Sequence, residues 1–270
     1  MYSTAFLMGG LGNQMFQIAN AYAQSLKNNI DCFFRPKSQI SHQGNDATEY
    51  VSNIFKKLNF KNELSGYQTY HEPNWHFNER NLLWSTPIEF YGYYQSSKNF
   101  LGYDNEIKNL FSIDNETKKY LIEKYPNILL DNTLSIHLRR GDYKKFPNIH
   151  PTVSKSYIDK ALTLVGEYSH VFIFSDDKNW VQENINLKNS TVVSEKDYIE
   201  LWFMSLCKNN ILSNSSFSWW GSFLNENPNK KIISPSVWFG PEGPKNYSDI
   251  FEDNWQIINV HFENGELNVK

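Results

Sequence analysis

The sequence predicts an α/β protein built as two Rossmann-like halves, each with a mostly parallel sheet, and a ligand cleft between them. Three observations carry that expectation. The first 34 residues read as strand, glycine turn, amphipathic helix and strand, which is a βαβ unit. Beyond residue 131, short apolar runs alternate regularly with helical patterns, as parallel sheets require. A chain of 270 residues is also long enough to bury two cores. The boundary is expected at residues 127–131, giving an N-terminal half over 1–130 and a C-terminal half over 131–270.

Each element follows from a local pattern. Ala5-Phe6-Leu7-Met8 is an apolar run of strand length, and Gly9-Gly10-Leu11-Gly12-Asn13-Gln14 is a glycine-rich turn. Leu11, Met15, Ile18, Tyr22 and Leu26 then recur at three- and four-residue spacing, which predicts a helix with one apolar face. Ile30-Asp31-Cys32-Phe33-Phe34 reads as the second strand. Residues 37–48 are polar and read as loop, and 53–58 as a short helix. Residues 67–94 are aromatic and irregular. Helices are expected over 98–111 and 115–125, the second ended by Pro126, because the residue before proline avoids helical angles. In the C-terminal half, strands are expected at 134–137, 170–174, 191–193, 211–213 and 232–234, the last stopped by Pro235. Helices are expected at 156–165, 198–207 and 217–224.

Composition excludes several classes of function. A net charge of −3 offers no broad basic face to nucleic acid. Cys32 and Cys207 lie far apart and match neither zinc spacing nor a disulfide framework, which fits a reducing compartment. The first five residues lack the basic and apolar regions of a signal peptide, and no apolar run approaches the roughly 18 residues of a membrane span. A cytoplasmic protein is expected. Aromatics are 16% of residues, with 8 Trp and 16 Tyr, and such rings suit sugar faces as well as large cores.

Two segments carry most of the chemistry. His137-Leu138-Arg139-Arg140-Gly141-Asp142-Tyr143 follows an expected strand, and its two guanidinium forks suit a diphosphate. A strand-end salt bridge explains an isolated arginine pair equally well. Asp142 beside them suggests a carboxylate that orients an arginine or acts as a base. Asn214-Ser215-Ser216-Phe217-Ser218-Trp219-Trp220-Gly221 places Ser215 and Ser216 at a helix start, where hydroxyls and unpaired amides can hold phosphate. Ordinary N-capping is the alternative there, and Trp219 and Trp220 are expected in the core. Asp176 and Asp177 at a strand end could accept hydrogen bonds from guanine or ribose, or cap a helix over 178–184; metal ligation lacks further partners at suitable spacing. The glycine turn fails as a dinucleotide fingerprint, because the third glycine position is Met15; Asp31 sits near the place of a ribose-binding acid. Asn13 and Gln14 can still offer amides to sugar hydroxyls. His71, His76, His150, His170 and His261 are scattered and are expected as surface or core residues.

Taken in order, Gly9-Gly10-Leu11-Gly12-Asn13-Gln14-Met15-Phe16-Gln17, Gly92-Tyr93-Tyr94-Gln95-Ser96, the segment from His137 to Tyr143, Phe174-Ser175-Asp176-Asp177 and the segment from Asn214 to Gly221 resemble glycosyltransferase family 11, the α-1,2-fucosyltransferases. The resemblance implies a GT-B fold, a GDP-L-fucose donor, no metal or other cofactor, and inversion at the anomeric carbon. It implies a donor half at the C-terminus and an acceptor half at the N-terminus. By position, Arg139 and Arg140 would bind the diphosphate, His137 would lie beside the nucleotide, and Ser215 and Ser216 would close the phosphate site. Asn214, Phe217, Asp176 and Asp177 fall on the donor side. Asn13, Gln14, Tyr93, Tyr94 and Gln95 fall on the acceptor side, with Trp75 and Tyr91 as further rings for stacking. Arg140 would stabilise the leaving phosphate and Asp142 would act as base or orienting group. Glu200 stands four residues before Met204, where the resemblance leads one to expect aspartate. The implied reaction fucosylates the 2-hydroxyl of a terminal β-galactoside in surface glycan synthesis of the O-antigen and lipopolysaccharide type. The acceptor could be lipid-linked and the enzyme peripheral at the inner face of a membrane. Two other functions remain open: an NAD(P)-dependent oxidoreductase built on the glycine turn, and a non-enzymatic carbohydrate-binding module.

Overall fold

The structure is a computed structural model that describes residues 1–36, 46–80 and 82–270. Most of the polar stretch read as loop at 37–48 lies outside the described residues. The chain divides into two units, Met1–Ser112 with Asn246–Glu252, and Ile113–Lys245 with Asp253–Lys270.

The N-terminal unit holds β1 (Tyr2–Ala5), α1 (Leu11–Asn28), β2 (Asp31–Cys32), β3 (Gln68–His71), β4 (Ile88–Tyr91) and α2 (Asp104–Leu110). Its sheet runs β2-β1-β4-β3, every pair parallel. The expected βαβ unit is present, with β1 three residues earlier than the apolar run at 5–8 suggested. Leu11, Met15 and Ile18 are buried on α1, whereas Tyr22 is half-buried and Leu26 exposed; Phe16, Ala19 and Ala23 complete the inner face. No α-helix forms over 53–58, which is a series of turns. The helix expected over 98–111 is broken, because Gly102 adopts φ +87° and only Asp104–Leu110 is α-helical.

The C-terminal unit holds α3 (Asn115–Lys124), β5 (Thr133–Leu138), β6 (Thr152–Val153), α4 (Lys155–Val165), β7 (His170–Ser175), α5 (Lys178–Asn184), β8 (Ser190–Val192), α6 (Asp197–Leu206), β9 (Asn209–Ile211), α7 (Ser216–Phe223), β10 (Ile232–Pro235), β11 (Gln256–Ile258), β12 (Val260–Glu263) and β13 (Glu266–Val269). Its main sheet runs β8-β7-β5-β9-β10-β11, all parallel. Counted in chain order this is 3-2-1-4-5-6, the doubly wound Rossmann order, whose direction reverses between β5 and β9. Every residue of β5 and β7 is buried, as expected of parallel strands covered on both faces, although β5 alternates Thr133, Ser135 and His137 with Leu134, Ile136 and Leu138. Leu134, Ile136, Ile173, Ile211 and Ile233 share one core with Tyr157 and Ile158 of α4.

The unit boundary differs from the expected one. The units part at Ser112, because α3 belongs to the C-terminal core. Tyr125 packs against Phe172 and Phe203, and Tyr120, Lys124 and Tyr125 all contact the Glu195 carboxylate. The chain also returns to the N-terminal unit at Asn246–Glu252, where Asp249 accepts the Phe77 amide at 2.8 Å and pairs with Lys98.

Candidate active site

The strongest cluster sits at the C-terminal ends of β5 and β9, at the sheet's switch point, where open α/β sheets bind ligands. His137, the penultimate residue of β5, is buried and its Nδ1 lies 2.8 Å from Ser213 Oγ. Burial, assisted by the neighbouring Arg139 charge, pushes its pKa down to about 3, so the imidazole is neutral. Its ring lies 5.3 Å from that of Phe217.

After β5 the chain turns through Arg139, Arg140 and Gly141, and Asp176 organises the turn. One Asp176 oxygen accepts the amides of Arg140 at 2.8 Å and Gly141 at 3.0 Å, and the other lies 3.1 Å from Arg139 Nη1. Glycine is needed at 141 because a Cβ there would fall 2.8 Å from Asp176 Oδ2. Arg139 Nη2 also lies 2.8 Å from Asp142, and the guanidinium sits 5.8 Å over the Tyr143 ring. Burial works against the Arg139 charge, but Asp176 and Asp142 outweigh it and raise its pKa. The Tyr143 hydroxyl then donates to the Asn214 carbonyl at 3.0 Å. Tyr143 thus couples the arginine turn to the loop before α7. On that loop Ser215 is the N-cap of α7, its hydroxyl accepting the Phe217 amide at 3.3 Å, and Ser216 is the first helical residue.

Several expectations change here. The two guanidiniums have different partners: Arg139 spans Asp142 and Asp176, whereas Arg140 is buried with its guanidinium 3.8 Å over Trp180 of α5, its Nη1 3.4 Å from Thr152 on β6 and its Nε 3.8 Å from Asp177. Asp177 caps α5 through the Trp180 amide and pairs with Lys144 at 2.7 Å, while Asp176 holds the turn, so both acids have protein partners. Asn214 is buried and its Nδ2 donates to the carbonyls of Pro151 and Trp238, which makes it a brace for the loop. Trp219 and Trp220 are fully buried, as expected. Among the described residues no group of three or more His, Cys, Asp or Glu could hold a metal ion, and no helix is long and apolar enough to cross a membrane.

On the N-terminal unit, Gln14 is fully buried and donates to the Gly9 carbonyl at 2.9 Å, so it holds the turn. Asn13 Oδ1 accepts Gln95 Nε2 at 2.7 Å. Tyr94 is buried at φ +52°, which removes it from the stacking surface, while Tyr93 is half-buried and stacks on Trp75. Ser213, which carried no role in sequence, and His150, expected there as a surface or core residue, both join this cluster, the His150 ring stacking on Tyr143 at 4.8 Å. Tyr143 has no role visible in the sequence, and only the tertiary contact to Asn214 supplies one.

The glycosyl transferase family 11 model matches residues 2–259 of the chain. The chain belongs to glycosyltransferase family 11. Family membership decides against the oxidoreductase and the binding-module alternatives. Among family-like relatives, an Escherichia coli α-1,2-colitosyltransferase is 29% identical over 88% of this chain and 92% of its own length. The E. coli O-antigen biosynthesis glycosyltransferase WbnK is 38% identical, but that match takes in only 46% of this chain and 44% of WbnK. In structure the family 11 chain is similar to the Bradyrhizobium α-1,6-fucosyltransferase NodZ, with a TM-score of 0.56 at 12% identity over 87% of this chain and 95% of NodZ. It is also similar to E. coli ADP-heptose LPS heptosyltransferase II, with a TM-score of 0.50 at 11% identity over 99% and 93% of the two chains. The fold is that of the GT-B glycosyltransferases.

Proposed function

We propose that this family 11 glycosyltransferase moves L-fucose from GDP-L-fucose to the 2-hydroxyl of a terminal β-galactoside, with inversion and without a metal. Its place would be the cytoplasmic face of a membrane, on glycan intermediates of the O-antigen type. The observation that carries the donor assignment is the Arg139–Tyr143–Asn214 connection, which joins a guanidinium fork to the serine-capped start of α7. A diphosphate bound there would meet Arg139, the Ser215 and Ser216 hydroxyls and the positive N-terminal end of the α7 dipole. Neutral His137 and the Phe217 ring would lie beside the nucleoside.

In the reaction, the acceptor oxygen bonds to the anomeric carbon while the bond from that carbon to the β-phosphate oxygen breaks, and GDP leaves. Charge grows on the departing oxygen, and Arg139 with the positive N-terminal end of α7 stabilises it where it develops. The ion pair of Asp142 with Arg139 favours an orienting role, leaving the hydroxyl proton to a GDP phosphate oxygen.

The colitosyltransferase relative favours a second donor, GDP-colitose, whose sugar is L-fucose without its 3-hydroxyl. Release of GDP from each donor, measured with a β-galactoside in the presence of EDTA, separates the two. The proposal expects a higher kcat/KM for GDP-L-fucose and no loss on chelation. A preference of about tenfold for GDP-colitose, ~1.4 kcal/mol in the transition state, would reassign the donor. Turnover of neither would reject the reading, and activity abolished by EDTA would reject its metal-free form.

A further inference from the structure

The N-terminal unit contains a built arrangement that the donor site does not use. Glu72 follows β3, and its carboxylate accepts the amides of Tyr93 at 2.7 Å and Tyr94 at 3.0 Å. The close approach depends on Gly92, at φ +157°, where a Cβ would lie 2.3 Å from Glu72 Cβ and 2.6 Å from its Oε2. Tyr94 at φ +52° is a second residue in the left-handed region, so the loop from Gly92 to Gln95 is held in a conformation that costs energy. That loop turns the Tyr93 ring onto Trp75, with centroids 5.2 Å apart and planes 20° from parallel. It also sends Gln95 Nε2 to Asn13 Oδ1 at the first turn of α1. Gln95 is only 8% exposed, and its Oε1 is buried with no hydrogen-bond partner among the described residues. A buried acceptor left unpaired is costly and calls for a donor.

These groups share one chemistry. A pyranose presents a C–H face that stacks on aromatic rings and an edge of hydroxyls that donate to carboxylate and amide oxygens. Trp75 and Tyr93 are half-buried, so they are anchored and still accessible. Glu72 is likewise half-buried, and its amide contacts leave lone pairs for a hydroxyl. Burial raises its pKa, against the two amides and Arg80.

We propose that Glu72, Trp75 and Tyr93, with Gln95 braced by Asn13, form the subsite for the acceptor sugar: one pyranose stacks on Trp75 and Tyr93 and donates hydroxyls to Glu72 and to Gln95 Oε1. The assignment rests on the reading of the chain as a transferase with a sugar acceptor, and it adds which residues hold that sugar. Glu72 acts here in binding, and no bond is made or broken at it.

The test is saturation-transfer NMR of the full chain with methyl β-pyranosides of galactose, N-acetylgalactosamine, glucose and N-acetylglucosamine, alone and with GDP. Ring-proton signals from at least one pyranoside are expected in the native protein and should disappear in Trp75→Ala and Tyr93→Ala. In steady state the same variants should raise acceptor KM by about tenfold, the upper end for an aromatic contact, with donor KM and GDP affinity unchanged. Glu72→Gln should also weaken binding. If it unfolds the loop, shown by a lost thermal transition, the two aromatic variants still decide. No saturation transfer from any of the four sugars, or signals and KM within about twofold of native in both aromatic variants, would overturn the subsite. Because sugar binding is read without a donor, a chain that turns over no GDP-sugar but binds a pyranoside through Trp75 would refute the fucosyltransferase reading and leave the subsite intact.

Discussion

Lysine in place of Arg139 keeps the charge but removes the fork that spans Asp142 and Asp176, and an ammonium cannot meet two phosphate oxygens in a plane. Lysine in place of Arg140 loses a stack over Trp180 instead, worth on the order of 1–2 kcal/mol when buried. The two substitutions should therefore separate in kinetics and stability. Arg139→Lys should lower kcat on the order of 10²–10³-fold with little change in melting temperature. Arg140→Lys should lower the melting temperature and leave kcat within about tenfold of native. Steady-state assay with calorimetric melting checks both, and the reverse pattern would return the diphosphate to Arg140. The sequence reading gives the leaving phosphate to Arg140, because order along the chain does not show which partners each guanidinium meets. Those partners follow from the turn that Asp176 holds, and Asp176 is distant in sequence and bonds the backbone of the second arginine rather than its side chain.

Among the elements, α6 carries the acid whose role the sequence left open. Glu200 accepts the Glu195 amide at 3.1 Å and so braces the link between β8 and α6, while Glu195 itself receives Tyr125, Tyr120 and Lys124. Burial pushes the Glu200 pKa up to about 7 from its ordinary 4.5. A carboxyl that holds its proton more tightly when folded stabilises the fold fully below 4.5, and that contribution is lost as pH rises to about 7. Glu200→Gln keeps an acceptor without titrating, so its melting temperature relative to the native protein should rise between about pH 5 and pH 8. Parallel melting curves across that range would show that Glu200 does not titrate there. Helix α7 explains a glycine that the motif alone did not: a Cβ at Gly221 would fall 2.9 Å from Met204 Cβ, so Gly221 lets α7 approach α6. One readable signal went unused. Asn264 and Gly265, at φ +49° and +83°, form the two-residue turn between β12 and β13, a pairing that asparagine-glycine favours.

Across the whole molecule, legibility followed burial. In the C-terminal unit five strands of the main sheet were legible as short, largely apolar runs and the helices carry an apolar stripe, whereas β6, β11, β12 and β13, which are very short or partly exposed, were not. The N-terminal unit hid half its sheet. Strand β3 is largely exposed and polar, and β4 buries Glu89, which pairs with Arg35 from a distant loop, so neither strand has an apolar pattern. The donor-side motifs were visible as segments, whereas their convergence at the reversal of strand order required the sheet itself. What joins these levels is the claim that a family 11 enzyme uses Arg139 and the α7 start to release GDP as it fucosylates a galactose. The most direct test is to incubate the enzyme with GDP-L-fucose and a methyl β-galactoside or a Galβ1,3- or Galβ1,4-terminated glycan and to solve the product by NMR. The expected product is an α-linked fucose on the galactose 2-oxygen, made by the native enzyme and nearly lost in Arg139→Lys. A fucose linked at another position, or the same product made at native rate by Arg139→Lys, would contradict it.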